Sequence, residues 1–154
     1  MSTKLIDGGV AVDTRGSVRF VNDFDFTGVK RFYQVENHRQ GFIRAWHGHS
    51  KEGKYVYVPR GSALVGAVQL EVRGPVAGVA DDALLVPEGK PEAFIVSSYR
   101  PKVLWIPPGY ANGFMNLESD TILQFFSTST LEDSLNDDVR FPHDQWDIWD
   151  VKYF

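Results

Sequence analysis

An all-β barrel or sandwich with little helix is predicted for this 154-residue chain by three observations. Short runs of β-branched and aromatic residues follow one another along its whole length. Turn-forming clusters separate them at regular spacing, and helix signals are almost absent. In order, the predicted strands are "SVRFV" (17–21), "VKRFYQVE" (29–36), "GFIRAW" (41–46), "KYVYVP" (54–59), "ALVGAVQLEV" (63–72), "AFIVSS" (93–98), "KVLWIP" (102–107), "GFMNL" (113–117) and "TILQFFST" (121–128). The punctuators between them are "DTRG", "PRGS", "PEGKPE", "YRP" and "PPGYANG". Residues 71–92 read as an extended Gly/Pro-rich loop over one end of a barrel. "TLEDSLNDD" (130–138) is the one stretch that suits a turn or two of helix. The tail "FPHDQWDIWDVKYF" is too aromatic to stay free, and is expected to pack on the domain or on a second subunit.

Length fits a single domain spanning residues 1–154, long enough to bury a core without staples. The absence of cysteine excludes disulfides, thiolate metal sites and cysteine nucleophiles. No apolar run is long enough to cross a membrane and no signal-like segment opens the chain, so a cytoplasmic protein with no membrane partner is expected. Net charge is −4 with scattered basic residues, which argues against nucleic acid as a partner. A local group of arginines and lysines could still meet a smaller anion.

The chemistry-bearing stretch is "GFIRAWHGHSKEGKYVYVPRGS" (41–62). Two-residue periodicity places Ala45, His47 and His49 on one strand face, and Arg44, Trp46 and Gly48 on the other. Gly41, His47, His49 and Gly61 keep the spacing of a metal-binding barrel strand pair, but Lys54 stands at the third ligand position. With "PPGYANGFMN" (107–116) as a degraded second half, the chain resembles the cupin superfamily. That resemblance implies a jelly-roll β-barrel whose ligand glutamate has become Lys54 and whose ligand histidine has become Asn112. An ammonium beside a divalent ion is repelled by several kcal/mol. Two imidazoles are too few ligands for a catalytic metal. No metal and no cofactor are expected.

A histidine and a lysine facing one cavity suit proton abstraction next to a ketone. Histidine is a base near neutral pH, and an ammonium stabilises the enolate oxygen. Along "DTRG" (13–16), "FYQVEN" (32–37), "RAWH" (44–47), "GKYVYVPRG" (53–61), "IPPGYANGF" (106–114) and "DTILQFFSTS" (120–129), the chain is similar to the dTDP-4-dehydrorhamnose 3,5-epimerases. Those enzymes act on nucleotide-linked 4-keto-6-deoxy sugars. The resemblance implies His47 as base and Lys54 as enolate stabiliser. It also implies Arg15, Gln34, Asn37 and Arg44 as holders of sugar and diphosphate, and a homodimer. Arg44 can share a wall with His47 only if a β-bulge lies between them.

The chain departs from the family pattern in three places. The family's catalytic tyrosine falls near Phe125 or Phe126, which carry no proton to give, and its pocket histidine is Asn112. The aspartate that orients the base is missing from its usual place, leaving Asp144, Asp147 or Asp150 as replacements. A second resemblance, to nucleotide-sugar 3,4-ketoisomerases, accounts for Tyr33 and for the His47–His49 pair. Three alternatives to a 3- or 3,5-epimerase therefore stand: a ketoisomerase, a non-catalytic sugar-nucleotide-binding cupin, and a metal-dependent dioxygenase that the lysine disfavours.

Overall fold

The computed structural model describes residues 1–73 and 84–151. Two five-stranded antiparallel sheets face each other. The first runs β1 (Lys4–Asp7), β11 (Lys102–Ile106), β6 (Lys54–Arg60), β13 (Ile122–Ser127) and β4 (Arg31–Glu36). The second runs β10 (Pro91–Ser97), β7 (Ser62–Gln69), β12 (Tyr110–Asn116), β5 (Ile43–His49) and β14 (Val139–Arg140). From β4 onward the chain mostly alternates between the sheets, as in the jelly roll expected of a cupin.

That alternation depends on tight crossings. Between β6 and β7, Gly61 holds φ +79, and a Cβ there would lie 2.2 Å from Thr121 Oγ1, so only glycine fits. The core between the sheets is built from the inward faces of both. Val56, Val58, Leu104 and Leu123 from the first sheet meet Val65, Ala67, Val96 and Phe114 from the second. Burial of this kind contributes roughly 25 cal/mol per Å² of apolar surface.

A second cluster covers the outer face of the second sheet. Trp46, fully buried, packs with Trp146 and Trp149 at centroid distances of 5.3 and 5.2 Å. The indole N–H groups of Trp46 and Trp149 both donate to the carbonyl of His143, and that of Trp146 donates to the carbonyl of Gly89. The aromatic tail thus packs on its own domain, as expected; residues 152–154 lie outside the described residues.

Three local readings are corrected. "PPGYANG" is not a loop throughout, because β12 already begins at Tyr110 and carries Asn112–Gly113 within the strand. The glycine is needed there because a Cβ at 113 would come within 2.5 Å of Ala45 Cβ. The segment 71–92 is partly regular: β8 (Glu71–Arg73) pairs with β9 (Leu84–Val86), and β10 starts at Pro91. Residues 74–83 of that expected loop lie outside the described residues. Two N-terminal strands not anticipated, β1 and β2 (Gly9–Asp13), also form, the latter in a hairpin with β3 (Gly16–Phe20). The helix does form, as α1 (Leu131–Leu135), capped by Thr130 Oγ1 accepting from the Asp133 N–H.

Candidate active site

β5 carries the decisive irregularity. Asn112 of β12 pairs with His47 while Phe114 pairs with Arg44, so three steps on β5 match two on β12. This is the bulge that Arg44 requires. It turns Ala45 and Trp46 together toward the tryptophan cluster and leaves Arg44 and His47 both facing inward. Simple alternation had placed Ala45 with the histidines, and the extra residue overrides it.

Inside the barrel mouth a cavity of about 240 Å³ is lined by His47, His49, Lys54, Tyr33, Asn112 and Phe125. These residues arrive from β4, β5, β6, β12 and β13, so both sheets contribute walls. Lys54 is 8 % exposed, with Nζ 5.8 Å from the Tyr33 ring centroid and 6.0 Å from that of Phe125. The ammonium therefore sits inside the cup, not in solvent. Asn112 donates to the carbonyl of His47 at 3.4 Å. A larger cleft of about 670 Å³ lies alongside; its walls include Lys30, Lys51 and Asp133 and, among the described residues, no imidazole.

Both imidazoles are pushed below the ordinary histidine value. For His47 burial is the main cause, Arg140 and Lys54 add to it, and Asp138 opposes it. For His49 burial again leads, Lys54 adds to it, and the Asp137 carbonyl and the Glu52 carboxylate oppose it. Both rings are consequently neutral at pH 7, the form a general base requires.

Several residues of the site were not singled out in the sequence. Asp138 Oδ1 lies 3.8 Å from His47 Nδ1, in the place expected of Asp144, Asp147 or Asp150. Asp147 instead accepts from the Trp149 N–H. Arg31 and Arg140 also line the cavity. Arg31 could have been found by period two, since it shares a strand face with Tyr33. Asp138 and Arg140 could not, because only the return of the chain through β14 beside β5 brings them there.

Three expected contacts fall elsewhere. Arg15 stands on the tip of the β2–β3 hairpin, 87 % exposed and paired with Asp13 at 2.6 Å. Gln34 points away from Tyr33, out of its sheet, and donates to Gln124 Oε1. Asn37 lies behind the cavity wall, where its Oδ1 accepts from Arg44 Nε at 2.7 Å and its amide donates to Asn116. It positions Arg44 and does not line the cavity.

A jelly-roll barrel holding neutral imidazoles and a buried ammonium around one cavity defines the class: a cupin epimerase or isomerase. The chain belongs to the dTDP-4-dehydrorhamnose 3,5-epimerase family, whose model matches residues 4–149. Among solved structures it is similar to the dTDP-4-dehydrorhamnose 3,5-epimerase of Sulfolobus tokodaii, with 29 % identity over 99 % of this chain and 83 % of that one and a TM-score of 0.73. It also shares its fold with ChmJ, a 3′-monoepimerase from Streptomyces bikiniensis in complex with dTDP-quinovose (17 % identity, 99 % and 78 % covered, TM-score 0.71). A 3,4-ketoisomerase from Helicobacter canadensis matches less closely (15 %, 98 % and 99 % covered, TM-score 0.60). No curated protein matches the sequence.

Proposed function

We propose that residues 1–154 act as one cupin domain that epimerises a dTDP-linked 4-keto-6-deoxy sugar without a metal. The observation that supports it best is the buried Lys54 ammonium sharing a cavity with His47. His47 removes the C3 proton, the C–H electron pair forms a C3–C4 double bond, and the charge moves to O4 beside Lys54. In a dry site such a cation lowers the barrier more than in water. Reprotonation of C3 from the other side completes inversion, and Tyr33 is the phenol available in the cavity lining to give that proton. Arg44 and Arg31 supply guanidinium groups for the diphosphate, and Arg44 is held in place by Asn37.

The preferred outcome is epimerisation at C3 alone. The resemblance puts the family tyrosine near Phe125 or Phe126, neither of which can donate, and of the two Phe125 lines the cavity, so a donor for C5 is missing there. A second reading, 3,4-ketoisomerisation, is favoured by one observation: His49 adds another neutral imidazole to the same cavity. Incubation with dTDP-4-keto-6-deoxyglucose in D₂O, followed by proton NMR, separates the cases. Deuterium at C3 alone supports the proposal, deuterium at C5 as well restores the full family activity, and a migrated keto group identifies the isomerase. No exchange with any keto-sugar nucleotide overturns catalysis and leaves a binding module.

The same reading makes the protein a cytoplasmic homodimer. Among the described residues no helix is long and apolar enough to cross a membrane. The β2–β3 hairpin leaves Val12 exposed on one face and Val18 on the other, and Phe26 and Phe32 are exposed as well, apolar side chains that a second copy gripping the hairpin would cover. A hairpin reaching across that contact would carry Arg15 toward the partner's cavity. Sedimentation of Val12→Asp against the parent chain tests this, with a monomer expected for the variant.

A further inference from the structure

The most deeply buried charge in the described structure is a carboxylate to which the proposed mechanism gives no task. Glu52 has a side chain with no exposed surface, in the loop between β5 and β6. Its Oε1 accepts from Ser127 Oγ and from Arg31 Nη2 at 3.1 Å, and its Oε2 accepts from Ser134 Oγ at 2.8 Å. Oε2 also lies 3.4 Å from His49 Nδ1. One carboxylate thus joins β4, β13, α1 and the second imidazole of the cavity.

A buried ion pair is seldom the most stable way to fill a core; an apolar replacement of equal volume often does as well or better. Its retention calls for another reason, and the geometry of His49 supplies one. His49 Nδ1 donates to the carbonyl of Asp137, which fixes the ring and its tautomer. The Asp137 carboxylate is itself fully engaged by the Ser50 hydroxyl and by the N–H groups of Ser50, Lys51 and Glu52. That leaves His49 Nε2 buried and, among the described residues, without a hydrogen-bond partner. A buried polar atom without a partner, on a ring that lines a cavity, is a place for a ligand group.

We infer that Glu52 is the charge partner that tunes His49. With the ring fixed by the Asp137 carbonyl and Nε2 presented to a sugar hydroxyl, the Glu52 carboxylate 3.4 Å from Nδ1 supports positive charge on the ring when Nε2 takes a proton. This inference rests on the proposed sugar-nucleotide reading and deepens it, giving the second imidazole a charged partner of its own, as Asp138 stands beside the first. Burial would push the Glu52 carboxyl up, but the Ser127 and Ser134 hydroxyls and the Lys54 ammonium hold it below the usual carboxylate range. It is therefore ionised when His49 titrates. The other charged or titratable groups acting on His49 are Lys54 on β6, His47 on β5 and Asp137 after α1, with Arg31 on β4 balancing Glu52 itself. The same carboxylate tethers α1, which buries no residue of its own, to the mouth of the cavity.

The test is ¹⁵N NMR of the imidazoles in the full chain, titrated with pH, with His49→Gln used to assign the resonance. In the parent protein His49 is expected as the Nδ1–H tautomer. In Glu52→Gln, which preserves shape and an acceptor oxygen, loss of the charge is expected to weaken proton binding at His49 about three- to tenfold, moving its midpoint down. Glu52→Asp keeps the charge and is expected to recover part of that shift. An unmoved midpoint in Glu52→Gln overturns the inference, as does loss of the fold in both variants, which would make Glu52 a packing element. With active enzyme, kcat of Glu52→Gln is expected to fall more than KM rises, with the acid limb of kcat displaced to lower pH. If the parent chain exchanges no sugar proton, the proposed activity fails, and the NMR titration still decides the role of Glu52.

Discussion

Tyr33 lies flat on Phe125, ring centroids 5.0 Å apart and planes 11° from parallel, across the register pair that joins β4 to β13. The resemblance to the family puts its tyrosine near Phe125 or Phe126; of the two, Phe125 lines the cavity, and a phenol stands on the next strand directly against it. The phenol of the cavity lining is therefore one strand spacing from Phe125. A proton donor displaced by about 5 Å addresses a different part of a bound sugar ring.

Tyr33→Phe is therefore expected to lower turnover about 10²- to 10⁴-fold, the range for loss of a positioned general acid. Phe125→Tyr is expected to add deuterium exchange at C5 while retaining exchange at C3. NMR of the sugar protons in D₂O reads both, and a Tyr33→Phe variant with parental turnover would remove the phenol from the mechanism.

Lys54→Met removes the charge while keeping much of the aliphatic stem. Because the ammonium is needed chiefly when O4 becomes negative, kcat is expected to fall about 10²- to 10³-fold, with KM changing far less. Steady-state kinetics decide this. Equal effects on kcat and binding would mean that the lysine serves the ground state.

His47→Ala is expected to abolish C3 exchange. Asp138→Asn has a graded effect: the Asp138 charge opposes the depression of His47, so its loss lets the base weaken further. The acid limb of the pH–rate profile is expected to move to lower pH and turnover to drop about tenfold.

Both cavity imidazoles are held below the ordinary histidine value of 6.5, with burial as the largest cause. The folded protein then binds fewer protons than the unfolded chain between the depressed values and 6.5. Stability is full above that window and declines as pH falls through it. The acid limb of kcat/KM is expected below pH 6.5, and the thermal midpoint is expected to fall on acidification through the same range. Removing this titrating group, as in His49→Gln, is expected to flatten part of that decline.

Trp149 is nearly buried against Trp46 and covers the outer face of the second sheet. Trp149→Ala is expected to cost about 3–5 kcal/mol, as for other large-to-small aromatic deletions. Chemical denaturation measures it. A loss below 1 kcal/mol would mean that the tail is a loose cover and not part of the core.

Runs of β-branched and aromatic residues between turn-forming clusters were enough to predict most of the strands, the short helix and the packed aromatic tail, because composition and punctuation are local properties of each segment. The reading was weakest where glycine was taken as punctuation. In "PPGYANG" Gly113 serves close approach to Ala45 within a continuous strand, a contact between residues 68 positions apart. The N-terminal strands were missed because their side chains are mostly exposed and carry little alternation.

By itself the sequence determined the fold class, the cysteine-free chemistry, and the substitution of Lys54 and Asn112 at two positions where a metal-binding cupin holds ligands. It also determined that Phe125 cannot give a proton, since that follows from residue identity alone. Only the tertiary structure decided which groups meet. The bulge that turns Arg44 inward, the approach of Asp138 to His47, and the placement of Glu52 beneath His49 depend on strand register and on where a distant segment returns. Those are set by packing between both sheets, and no single segment encodes them.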